Sequence, residues 1–132
     1  DIVATARHDQ IMALATLANG SVMVLTAQSW WESVPGVVDT GAFNEHFVRD
    51  VGAAYLASGI GLAWFAARPR ERAAALVALT FLGLHALFHM IEFAEGRGGG
   101  GVAAVLGVIA PTAIAVLAVL WPRSKIYATG EA

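Results

Sequence analysis

The chain has 132 residues; 58% are hydrophobic, only 14% are charged, and the formal net charge at pH 7 is −2. Soluble domains carry roughly 25% charged residues, so this composition, with a mean hydropathy of +0.66, argues against a water-soluble globule, a disordered chain and, lacking a basic surface, a nucleic-acid binder. Cysteine is absent, which excludes disulfides, thiolate nucleophiles and cysteine-ligated zinc or iron–sulfur centres.

A membrane-crossing helix needs about 20 mostly apolar residues. Stretches over about 10–31, 46–67, 73–93 and 102–121 meet that requirement. They predict an all-α chain forming one integral membrane domain: a four-helix transmembrane bundle, up-down-up-down, with short loops. The first stretch, ending in Trp30 and Trp31, exceeds the 7–15 apolar residues of a signal peptide and reads as a retained helix. Its polar points Asn19, Ser21, Thr26 and Gln28 are expected to hydrogen-bond neighbouring helices. The connection from Ser33 to Asn44 contains Pro35, Gly36 and Gly41, and is expected to form a structured lid over the helix ends or a contact surface.

Trp64 and Phe65 close the second stretch, and Arg68-Pro69-Arg70-Glu71-Arg72 is a charged turn with a helix-breaking proline. The tryptophans at the ends of stretches, Trp121 included, read as headgroup-zone anchors. Gly98 to Gly101 forms a flexible last connection without the lysine and Ser/Thr of a phosphate-binding loop. Pro111 is expected to kink the fourth helix. With alternating spans, Arg7, Arg68, Arg70, Arg72, Arg123 and Lys125 share one side, against Arg49 and Arg97 on the other. The positive-inside rule then places both termini in the cytoplasm. The acids Glu32, Asp39, Glu45, Asp50, Glu92 and Glu95 fall on the outer side.

The candidate site lies among polar residues in the second and third stretches. His85, His89 and Glu92 follow i, i+4, i+7 spacing, an arc of about 60° on one helix face. His46 and Asp50 share a face of the preceding helix. Counted from the tight turn near Arg70, Asp50 and His89 stand at matching levels. The small residues Ala53, Ala57, Gly61, Ala74 and Ala78 continue the two faces and favour close helix approach. His46, Asp50, His85, His89 and Glu92 are thus expected to converge in one outer pocket, with Glu45 and Arg49 at its rim. Imidazoles with carboxylates suit a transition metal (zinc, copper or iron), or a proton or quinol site, since ionisable groups at membrane depth mark such functions. The alternative is structural: Arg49 pairs with Glu92 and Asp50 with His89, docking helices without chemistry.

The segments Val34-Pro35-Gly36, Phe43-Asn44-Glu45-His46-Phe47-Val48-Arg49-Asp50-Val51-Gly52-Ala53-Ala54-Tyr55-Leu56 and Leu84-His85-Ala86-Leu87-Phe88-His89 resemble an uncharacterised family of small four-helix bacterial integral membrane proteins. The resemblance runs from the first stretch through the third and implies the fold and a bacterial origin, but no activity.

Three functions follow. The first is an accessory or structural subunit of a larger respiratory, photosynthetic or oxygenase-type membrane complex, its partners being lipids and other membrane subunits. The second is a stand-alone protein that binds a metal or couples protons through the outer cluster. The third is an oligomeric transporter, disfavoured because no pair of broken helices marks a midplane site. No Gly-x-Ser-x-Gly or His-Glu-x-x-His motif points to a hydrolase.

Overall fold

The computed structural model describes residues 2–96 and 105–120, and these contain helices without strands. In chain order they are α1 (Ile2–Leu25), α2 (Ala27–Ser33), a 3-10 turn (Val37–Thr40), α3 (Glu45–Ala67), α4 (Arg72–Ala94), a π-helical turn (Val105–Ile109) and α5 (Ala110–Leu120). Two helices, α3 and α4, are long and apolar enough to cross a membrane, and a third span is obtained if α1 and α2 count as one. Part of the predicted fourth span, with Gly98 to Gly101, Arg97, Trp121, Arg123 and Lys125, lies outside the described residues.

Local chemistry sets the helix bounds. The side chain of Asn44 caps α3 by accepting from the backbone N–H of Phe47 at 3.0 Å, satisfying one of the free donors of the first turn. Pro69 ends α3, because the residue before a proline is driven out of helical geometry; Arg68 has φ −136° and ψ 79°. The predicted boundaries 46–67 and 73–93 therefore agree with the observed ones to a residue or so. The first predicted span does not. Thr26 leaves helical geometry, with φ −136° and ψ 52°, and the chain bends by 116° between α1 and α2. The Thr26 hydroxyl donates back to the Val22 carbonyl at 2.9 Å, a local bond that competes with the helix ladder and accompanies bends. Pro111, which has no N–H to offer the preceding turn, stands two residues after the end of the π-helical turn, so the expected irregularity is a widened turn.

The packed helices close a ring: α1 against α3, α3 against α4, α4 against α5, and α5 back against α1. The contact of α1 with α3 is the most extensive, and glycine makes it possible. A Cβ on Gly52 would stand 2.7 Å from the Met23 Cβ and 3.1 Å from the Gly20 carbonyl oxygen; one on Gly20 would stand 2.8 Å from the Gly52 oxygen. Two backbones touching at hydrogen-sized side chains is the geometry small residues provide in membrane helix pairs, where dispersion replaces the hydrophobic drive. Gly61 plays the same part against Ala74 and Ala78 of α4, as expected from the small-residue face. Leu62, Phe65, Ala75, Leu79 and Leu82 form the larger core cluster, and Met23, Ala27 and Val48 a smaller one toward the opposite end.

Gly52→Val should destabilise the fold by about 1–3 kcal/mol through overpacking at the α1–α3 contact. Gly83, whose added Cβ meets nothing within 4 Å, should tolerate alanine with no loss of thermal stability in detergent. Equal melting temperatures for the two variants would remove glycine from its role in the seam.

Candidate functional site

The rotation of α3 decides which polar residues meet. Asp50 lies about 200° around the helix from Gly52, which faces α1. Val48, Val51 and Tyr55 consequently turn inward, while His46 and Asp50 stand outside, with side chains 87% and 66% exposed. They pair with one another at 3.2 Å, and Arg49 pairs with Glu45 at 2.8 Å, each within one helix turn. On α4, His89 Nδ1 lies 3.3 Å from a Glu92 carboxylate oxygen, both side chains being 24% exposed. The His85 ring contacts His89 edge-on, with centroids 4.7 Å apart.

The structure therefore brings His85, His89 and Glu92 together and leaves His46 and Asp50 apart from them. No group of three or more His, Asp or Glu among the described residues is arranged to hold a metal ion. The expected convergence of all five is corrected, because the Gly20–Gly52 contact turns the His46–Asp50 face away from the helix interior. The cross-helix pairs Arg49–Glu92 and Asp50–His89 are replaced by the intrahelical ones. Polar side chains of α1 and α2 also bond locally: Ser21 to the Leu17 carbonyl at 2.8 Å and Gln28 to Glu32 at 2.9 Å.

A cavity of about 580 Å3 lies between the helices on the α4 C-terminal side. His85, His89 and Glu92 line it; His46 and Asp50 do not. Its walls combine apolar side chains such as Met23, Val48 and Leu82 with the aromatic rings of Trp30, Trp31, Tyr55 and Phe88. Val34, Pro35, Val37 and Thr40 contribute its cover. The segment 33–44 is thus lid-like in placement, and the bend at Thr26 is what delivers it there. Trp30 Nε1 donates to the Asn19 side-chain oxygen at 3.0 Å, tying α2 back onto α1. Trp30 and Trp31 line the cavity. Gly36, at φ 81°, takes the left-handed turn between Pro35 and the 3-10 segment.

Around the His85 ring the packing is aromatic. It stacks on Phe81 with centroids 5.5 Å apart and meets Tyr55 edge-on at 5.6 Å. Tyr55 and Thr112 were not singled out by sequence patterning. Each is an isolated polar group in an apolar stretch, and depth in the stretch is the one signal that marks them. Compared with family models, curated proteins and solved structures, the chain matches none.

Asn19→Leu should loosen the cover by removing about 1 kcal/mol of net hydrogen bonding. Hydrogen–deuterium exchange should accelerate over residues 27–40 and stay unchanged in α3 and α4. Unchanged exchange over 27–40 would show that the Asn19–Trp30 bond does not hold the cover.

Proposed function

We propose that this chain is a four-helix, multi-pass protein of the bacterial inner membrane that binds a small amphipathic molecule. The observation that carries this reading is the interhelical cavity. Its volume, about 580 Å3, falls within the roughly 300–1,000 Å3 of small-molecule sites, and apolar walls with a few polar groups are the usual lining of such sites. A membrane-embedded bundle with polar groups turned inward is also where functional ionisable residues are found.

Charge placement supports the orientation. Gly20 meets Gly52 and Leu17 meets Gly59, so α1 and α3 run antiparallel. Arg7 therefore shares an end with Arg68, Arg70 and Arg72, while Glu32, Asp39, Glu45, Asp50, Glu92 and Glu95 occupy the other. By the positive-inside rule the arginine end is cytoplasmic and the cavity belongs to the outer half. Large apolar side chains exposed on α1, α4 and α5, such as Leu14, Val77, Leu84 and Leu117, then face lipid.

The reading as an accessory subunit of a larger membrane complex has its own support and is compatible with ligand binding. A shallow groove outside the α3–α4 contact is lined by Ala57, Gly61, Ala74 and Ala78 and flanked by Ile60, Trp64 and Val77. Small residues in such a groove let a further membrane helix approach closely.

After gentle extraction, native mass spectrometry should find the chain carrying one small organic molecule that organic solvent releases. Val51→Trp, which fills the cavity, should abolish retention while circular dichroism stays unchanged. A chain that retains nothing and takes up nothing from a membrane lipid extract would defeat the ligand reading. The accessory reading predicts larger partners at fixed ratio in the same extract, displaced by Ala57→Leu on the exposed groove.

A further inference from the structure

Resting on the ligand-binding reading, the polar groups of the cavity assign a chemical class to its occupant. Three of them have no hydrogen-bond partner among the described residues: the hydroxyl of Tyr55 on α3, the imidazole of His85 on α4 and the hydroxyl of Thr112 on α5. Thr112 is only 7% exposed. Buried polar groups are nearly always paired in folded proteins, so an orphan such as Thr112 implies a partner beyond the described residues; Tyr55 and His85 are half-buried and turn their polar atoms to the same cavity. Ser58 is also buried at 3%, but it lies outside the cavity. Thr16, by contrast, lines the cavity and is satisfied by the Met12 carbonyl at 2.7 Å. The unsatisfied groups thus come one from each of three helices and face a common space.

Their chemistry is specific in three respects. Hydroxyls and a neutral imidazole each donate one hydrogen bond and also accept, which matches carbonyl or hydroxyl oxygens. Among the described residues no lysine or arginine lines the cavity, and the one carboxylate that does, Glu92, sits beside His89. A phosphate or carboxylate head group would therefore enter without a cationic partner and next to a like charge, at a cost in desolvation. A cation would find Glu92 already engaged. The aromatic lining favours a flat ring, since aromatic groups gain from offset or edge-to-face contact. Phe47, Phe88 and Phe93 line the cavity yet are 60%, 56% and 57% exposed, so the opening toward the surroundings lies on their side.

We infer that the cavity takes an uncharged, flat-ring amphiphile bearing carbonyl or hydroxyl oxygens, of the quinone or quinol type. Its ring oxygens lie at Tyr55, His85 and Thr112, and its apolar tail leaves past Phe47, Phe88 and Phe93. The proposal concerns binding; no electron transfer is assigned.

The test uses the full chain in lipid nanodiscs and a benzoquinone with a ten-carbon tail, followed by quenching of tryptophan emission, since Trp30 and Trp31 line the cavity. Saturable quenching is expected. Tyr55→Phe and Thr112→Val, which keep ring and shape, should each weaken binding by about three- to tenfold, the worth of one hydrogen bond. An alkylbenzene with the same tail should bind at least about tenfold more weakly than the quinone, and a fatty acid of equal length should not displace it. Equal affinity for alkylbenzene and quinone would overturn the head-group assignment while leaving ligand binding intact, as would efficient displacement by the fatty acid. No saturable binding of any of these probes would defeat both this inference and the ligand reading beneath it. The alkylbenzene comparison needs only the unaltered chain, so the assignment stays testable even where a variant folds poorly.

Discussion

The arrangement of this molecule depends on one close contact, the backbone-to-backbone approach of α1 and α3 at Gly20 and Gly52. There is no room for a Cβ on either residue. Because the contact admits one face of α3 only, it fixes the rotation of that helix. Val48, Val51 and Tyr55 turn inward, and His46 and Asp50, on the opposite side from Gly52, turn outward. A larger residue in this seam would move not one side chain but the assignment of faces along the whole helix. That is why a glycine contact has more influence on the site than the ion pairs His46–Asp50, Arg49–Glu45 and His89–Glu92. These three are intrahelical and partly or largely exposed, and such pairs contribute little to helix docking.

The second determinant is the break at Thr26. A straight helix from α1 would carry Trp30 and Trp31 onward past the bundle end. The bend returns them over it, and the Asn19–Trp30 bond holds them there. The cover and the cavity are one construction: the same bend that separates α1 from α2 supplies the aromatic roof. The result is an aromatic and apolar enclosure onto which different helices turn hydroxyl and imidazole groups that have no hydrogen-bond partner among the described residues. A core built only for stability would fill that volume or pair those groups, since voids and orphaned polar atoms both cost stability.

The α3 and α4 helices were legible because their signals are local. Asn44 caps, Pro69 stops, and the apolar runs between them are long enough to define both helices within a residue or two. The clustering of His85, His89 and Glu92 was legible for the same reason, since spacing within one helix fixes their common face. Gly61 against Ala74 and Ala78 followed from small residues at helical intervals. The partnership of His46 and Asp50 with that cluster was not legible. Matching levels on adjacent antiparallel helices say nothing about rotation, and rotation is set by what packs on the far side.

The sequence by itself determined the helical class, the apolar character, the charge asymmetry between the two ends and the polar face of α4. Each of these depends on composition or on residues within a few turns of each other. Only the tertiary structure decided that α1 breaks at Thr26, that Trp30 and Trp31 cover a cavity, that His46 and Asp50 lie outside it, and that Tyr55 and Thr112 join His85 within it. These outcomes depend on contacts between residues far apart in the chain, above all a glycine seam whose register and rotation come from steric fit between two helices. A hydrophobic pattern states that a helix has neighbours; the shape of the contact states which of its faces they touch.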